Sequence, residues 1–258
     1  MSDNNNMINN NNIIVNEFNM PAPRWMRTYP SGPYRFINRE YLIITYETDE
    51  SLLRQILPPG LELEAPQVKY EFIRMPDSTG FGDYTESGQV IPVRYRGEPG
   101  YFIVTMFLDS EAPIAGGREI WGFPKKRAAP KLFIDEDVLV GQLDYGSIRV
   151  ATASMGYKHH AMDKNDIVAA FKLPIFLLKN IPGVDGKPEI NQLTRTYVTD
   201  VTVHGAWTGP GALELHPHAL APVAELPVKR IVSTMHFILD LTLPYGEVVE
   251  DYLKQLKK

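Results

Sequence analysis

Cysteine is absent from this chain of 258 residues. Without it there can be no disulfide, no thiolate metal centre and no cysteine nucleophile, and the absence agrees with a reducing compartment. Excess positive charge is missing too: 26 Lys and Arg against 31 Asp and Glu leave a formal charge of −5 and a pI near 5.7. That balance provides no electrostatic footprint for nucleic acid or an anionic membrane, and Lys125-Lys126-Arg127 is too short to make a basic patch. No apolar stretch approaches the roughly 18 residues of a membrane-spanning helix, and the amino terminus lacks the basic and apolar blocks of a signal peptide. A cytoplasmic protein with no nucleic-acid or membrane partner is expected.

Metal and nucleotide signatures are lacking as well. His159 and His160 are adjacent and diverge, and His216 and His218 supply at most two ligands with no helical His-Glu pair nearby. There is no Gly-x-Ser-x-Gly elbow for a serine hydrolase. The glycine-rich segment 80–88 reads as a loop, without the third spaced glycine or the following helix of a dinucleotide cradle. Neither a metal nor an organic cofactor is expected.

What is present describes an ordinary globular chain, 44% hydrophobic and 22% charged, large enough to close one core. Residues 1–20, with Asn4 to Asn6 and Asn9 to Asn12, read as a disordered leader, and 21–258 as one domain. Short β-branched or aromatic runs at 41–46, 68–75, 90–95, 101–108, 138–144, 148–154, 197–204 and 228–241 predict strands between Gly, Pro or Asp clusters. Helices are predicted at 49–57, at 163–178 with an interruption at Pro174, and at 245–256. Strands with a few inserted helices predict an α+β fold: an antiparallel barrel or strongly curved sheet with flanking helices.

The unusual feature is the pair Lys125-Lys126, which ends the run Trp121-Gly122-Phe123-Pro124 and follows the apolar Val104, Met106, Phe107 and Leu108. Most dibasic pairs are solvated. Here the apolar surroundings predict burial, which penalises the charged amine, and a neutral lysine is a nucleophile suited to imine formation with carbonyl substrates. Two like charges about 8 Å apart at an effective dielectric of about 20 repel by roughly 2 kcal/mol, about 1.5 in pKa. Desolvation can lower a buried amine by about 3 to 5, so a dry pocket is expected to be the larger cause. In the segment 67–75, alternation places Val68, Tyr70 and Phe72 on one face and Lys69, Glu71 and Ile73 on the other, and spacing alone favours a solvent-facing Glu71 over one facing a barrel interior.

Several ordered motifs together resemble the acetoacetate decarboxylase family. They are Gly32-Pro33-Tyr34-Arg35-Phe36-Ile37-Asn38-Arg39-Glu40, Tyr84-Thr85-Glu86-Ser87-Gly88-Gln89, Gly117-Arg118-Glu119 with Pro124-Lys125-Lys126, Asp144-Tyr145-Gly146, Met155-Gly156-Tyr157-Lys158-His159 and Ala206-Trp207-Thr208-Gly209-Pro210. The resemblance runs from about residue 33 to 253. It implies a cone-like antiparallel β-barrel assembled into a large homo-oligomer, and a small 3-oxo acid as substrate. Lys125 would be the Schiff-base lysine and Lys126 its neighbouring cation, with Arg39, Glu71 and Glu86 as polar groups of the site and Phe36, Phe107 and Phe123 lining a substrate pocket. A lysine activated by a neighbouring cation or by desolvation is the standard picture of that family, so the resemblance implies it as well. Arg127 departs from the family pattern, which leads one to expect an apolar residue there. Two other functions fit the same residues: another lysine Schiff-base lyase such as an aldolase-dehydratase, and a noncatalytic barrel that binds an apolar ligand.

Overall fold

The computed structural model describes residues 26–255, so the expected leader at 1–20 lies outside the described residues. The first strands are β1 (Tyr34–Glu47), β2 (Leu61–Leu63), β3 (Gln67–Met75), β4 (Asp77–Ser78), β5 (Tyr84–Tyr95), β6 (Glu98–Leu108) and β7 (Lys125–Arg127). There follow β8 (Ala129–Asp135), β9 (Val138–Tyr145), β10 (Ile148–Gly156), β11 (His160–Ala161), β12 (Ile175–Pro182) and β13 (Pro188–Thr196). The last are β14 (Thr199–Thr208), β15 (Gly211–Leu215), β16 (Arg230–Leu243) and β17 (Glu247–Asp251). The α-helices are short: α1 (Glu50–Ile56), α2 (Glu111–Gly116), α3 (Lys164–Phe171) and α4 (Tyr252–Gln255).

Thirteen strands form one large sheet, ordered β11-β14-β16-β1-β3-β5-β6-β12-β13-β17, with β2 on β5, β4 on β1 and β7 on β6. Four more form a second sheet, β15-β10-β9-β8. The large sheet is mixed rather than purely antiparallel, because β6 runs parallel to both β7 and β12, and its hydrogen-bonded path is open, ending at β11 and β17.

Both faces of the central strands are buried, and alternation divides their side chains between two cores. On β1, Leu42, Ile44 and Tyr46 enter the core shared with the small sheet, where Phe72 of β3 meets Leu139 and Leu143 of β9. Tyr41 and Ile43 point the other way, into a core with Ile73, Met106, Phe237 and Ile167 of α3. The site lies within this second core.

Three expected elements differ. The helix predicted over 163–178 stops at Phe171: Asp163 accepts from the Asn165 backbone N–H (2.9 Å) at its start, and Pro174 disfavours helical backbone before it. Beyond that proline, Ile175 and Phe176 pair with Tyr101 and Phe102 as strand β12. In the segment 245–256, Val248 and Val249 favour a strand, and β17 pairs with β13, leaving helix only from Tyr252. The glycine-rich loop ends at Asp83, so Glu86 rides on β5. Strands β8, β13 and β15 were not among those predicted. Among the described residues no helix is long and apolar enough to cross a membrane.

Candidate active site

The chain delivers Lys125 through a tightly specified turn. Helix α2 runs into a π-turn (Gly117–Trp121), and the N–H groups of Gly122 and Phe123 both donate to the Gly117 carbonyl at 3.0 Å. Gly122 closes the turn with φ of 93°, a conformation open to glycine. Trp121 is buried and fixed at both ends: its Nε1 donates to the Pro244 carbonyl (3.0 Å), and its own carbonyl accepts from Thr194 Oγ1 (2.6 Å). Gly117 forms a wall of the lysine channel, since a Cβ there would stand 2.6 Å from Lys125 Cδ.

Beyond the turn, β7 pairs with β6, Met106 opposite Lys125. Alternation then separates the two lysines. Lys125 is 8% exposed, while Lys126 is exposed, donates to the Leu220 carbonyl (2.7 Å) and lies 5.0 Å from the centre of the Tyr145 ring. The neighbouring ammonium therefore does not enter the pocket. Arg127 is also outside, facing Glu111 at 3.5 Å.

Lys125 Nζ donates to Glu86 Oε1 at 2.5 Å, and Glu86 is 2% exposed. The second oxygen of Glu86 faces Arg39 Nη2 at 3.9 Å. Arg39 reaches this position through an irregularity in β1. The register against β16 shifts between Phe36 and Arg39, Asn38 takes φ of 53°, and its N–H is held by Asp240 Oδ1 at 2.8 Å. The shift lets Phe36 and Arg39 line the same cavity although they are three positions apart. The guanidinium sits 5.0 Å from the centre of the Phe36 ring and equally far from that of Tyr41.

Burial lowers the pKa of the Lys125 amine; Glu86 opposes that effect and Arg39 adds to it. The larger cause is thus the dry pocket, and the nearby cation is Arg39 rather than Lys126. Glu71, on the inward face of β3, is pushed up to about 7 by burial, against Lys69 and Arg39, which lower it, and with Glu86, which raises it. Spacing alone had favoured solvent for Glu71; it lines the cavity instead.

The cavity measures about 170 Å³ and draws its lining from seven strands and α3. Its walls are mostly apolar, with Ile73, Met106, Phe123, Met235 and Phe237 among them. Phe36 and Phe123 line it as expected, but Phe107 does not: on β6 Met106 points inward, so Phe107 enters the opposite core beside Tyr145. Sequence reasoning passed over Lys69, Tyr41, Tyr84 and Tyr101, all of which line the cavity. A usable signal existed for Lys69, because alternation ties it to the face that carries Glu71. Burial raises the pKa of the Tyr41 and Tyr84 hydroxyls, keeping them protonated as donors.

Among the described residues, no group of three or more His, Asp or Glu side chains is arranged to hold a metal. The arrangement brings together a buried amine, a carboxylate within hydrogen-bond reach of it and a guanidinium, in a mostly apolar chamber.

Comparison with known proteins gives a consistent result. The model of the acetoacetate decarboxylase (ADC) family matches residues 19–253. A protein from Acidiphilium cryptum named acetoacetate decarboxylase is 62% identical over 225 residues, covering 87% of this chain and 92% of its own length. The crystal structure of acetoacetate decarboxylase from Legionella pneumophila superposes with a TM-score of 0.90 at 69% identity, covering 93% of this chain and 96% of that one. An enduracididine biosynthesis enzyme solved with pyruvate shares the fold at a TM-score of 0.77 and 20% identity, over 90% of this chain and 95% of its own.

Proposed function

The chain belongs to the acetoacetate decarboxylase family, and from that membership we propose that it converts acetoacetate to acetone and carbon dioxide through a Schiff base on Lys125. The observation that carries the mechanism is the buried Lys125 amine, 2.5 Å from Glu86 in a largely apolar cavity. Burial lowers the Lys125 pKa and so favours the neutral amine, which adds to the ketone carbon. Glu86 accepts a proton from the attacking nitrogen and returns one to the carbinolamine hydroxyl, which leaves as water.

The resulting iminium carbon lies two bonds from the carboxylate. When the carbon–carbon bond breaks, its electron pair moves into the new C=C bond and the C=N electrons settle on nitrogen, giving an enamine and carbon dioxide. Protonation of the enamine carbon and hydrolysis release acetone and free the lysine. The low-dielectric walls favour this step because negative charge is dispersed as carbon dioxide forms. Arg39 and Glu71 tune the field around the amine, whereas Lys126 braces β7 from outside the cavity. A cytoplasmic location, a large homo-oligomer and a cone-like enclosure of the site belong to the same proposal.

Borohydride reduction in the presence of acetoacetate should attach an isopropyl group to Lys125 and abolish activity, as read by peptide mass mapping. An adduct on Lys126, or none while acetone still forms, would overturn the assignment. Lys125→Ala should lose nearly all turnover and remain folded. Identification of acetone as product separates decarboxylation from aldol and dehydratase chemistry on the same imine.

A further inference from the structure

We propose that Lys69 recognises the carboxylate of the incoming 3-oxo acid at the outer end of the cavity, a role that rests on the decarboxylase reading above. Lys69 lies on the same face of β3 as Glu71 and Ile73 and lines the cavity that holds Lys125. The strand registers place it near the reacting amine: Glu71 pairs with Gly88, Gly88 with Met106, and Met106 with Lys125, while Lys69 stands two residues along β3, opposite Val90.

The ammonium of Lys69 is held in place but not neutralised. Its Nζ donates to the Tyr101 hydroxyl at 2.7 Å and sits 4.0 Å from the centre of the Tyr101 ring. An ammonium has three donors, and among the described residues Tyr101 is its one hydrogen-bond partner and no carboxylate makes an ion pair with it. Lys69 and Tyr101 are half-buried, as are Ile175 and Leu173 beside them, whereas Lys125 and Glu86 are buried at the inner end. The Glu71 carboxyl in the same cavity feels this charge but makes no close ion pair with it, which leaves the ammonium free to meet an anionic ligand among mostly apolar walls.

The two cations divide the work for a chemical reason. A cation clamped on the carboxylate throughout would stabilise the ground-state anion more than the departing, neutral carbon dioxide. Arg39 already faces Glu86, and its charge bears on the Lys125 amine. Lys69 is therefore assigned to capture, and its effect should fall on substrate affinity rather than on turnover.

The test compares Lys69→Met with wild type using two ligands. Acetoacetate carries the carboxylate; pentane-2,4-dione is an uncharged 1,3-diketone whose ketone should condense with the same Lys125 amine. Lys69→Met should raise the KM for acetoacetate about tenfold or more with kcat within about twofold, and should flatten the salt dependence of kcat/KM. Diketone affinity should be unchanged, and Lys69→Arg should restore the KM. An unchanged KM for acetoacetate in Lys69→Met, or an equal loss of affinity for both ligands, overturns the role. Should Lys69→Met not fold, Lys69→Gln carries the same comparison. Failure of the wild-type protein to form an imine with either ligand would instead refute the Schiff-base reading, so the two failures are distinguishable.

Discussion

At the residue scale, Glu86 touches both cations of the inner cavity, which fixes the sign of each substitution. Glu86 raises the pKa of Lys125 and Arg39 lowers it, so Glu86→Gln should move the acidic limb of the kcat/KM profile to lower pH, and Arg39→Met should move it to higher pH. Lys126→Met should leave the limb in place, because that ammonium binds the Leu220 carbonyl on the other side of the strand. The kcat of Glu86→Gln should also fall about 10²-fold, since the amide keeps the shape but cannot shuttle the proton. A limb that moves more for Lys126→Met than for Arg39→Met would return the neighbouring lysine to the controlling role. Glu71 allows a separate test through stability. Its folded-state pKa of about 7 lies above the ordinary 4.5, so between those values the native state holds a proton that the unfolded chain has lost. The stabilising contribution of the neutral carboxyl is complete below the lower value and is lost as pH rises through the higher one. Glu71→Gln should therefore be more stable than wild type at about pH 8 and equal to it at about pH 4, by denaturant midpoint.

At the scale of elements, three residues of strand and a five-residue π-turn carry Lys125 into the cavity. Such a short strand cannot aim a side chain unaided; β6 aligns it on one edge, Arg118 Nη1 holds the Lys125 carbonyl (3.2 Å), and Lys126 is pinned to the loop at Leu220. The turn supplies the remaining constraint, because the stem of Lys125 fills the space that a side chain on Gly117 would need. Gly117→Ala should displace the amine and lower kcat/KM about 10²-fold while the circular dichroism stays native, since a shift near 1 Å is enough to cost that much. Unaltered kinetics would show that the turn gives way and that the lysine finds its own position.

Over the whole molecule, the large sheet separates the core that lines the cavity from a packing core shared with the small sheet. Phe72 is fully buried in the packing core and presses on Gly141 of β9, where an added Cβ would stand 2.4 Å from its ring. Gly141→Ala should overpack this junction between sheets and destabilise by about 1 to 3 kcal/mol, seen as a lower denaturant midpoint. Activity per folded molecule should be retained, because Phe72 faces away from the cavity. A variant that loses activity in proportion to its stability, even when fully folded, would show that the two cores are coupled through the sheet.

The amino-acid sequence alone determined the strand-rich class, parts of the longer strands β1, β3, β5, β6, β9, β10, β14 and β16, the helix at 50–56 and the break at Pro174, because these rest on local propensity, alternation and the stereochemistry of proline. It also marked Lys125 through its apolar flanks, and the ordered motifs led to Arg39, Glu71 and Glu86. Local pattern could not decide which face of a strand looks into the cavity. Alternation says that neighbours diverge, but both faces of these strands are buried, so polarity does not label the inner one. Hence Phe107 was expected inside and lies outside, Lys126, implied by the resemblance as the neighbouring cation, lies on the other side of the strand, and Lys69, read on the same face as Glu71, was not counted among the site residues. The bulge that turns Arg39 inward and the parallel seating of β7 on β6 join segments far apart in the chain, and only tertiary packing sets such registers, because a shift of one residue exchanges every side chain between the two cores.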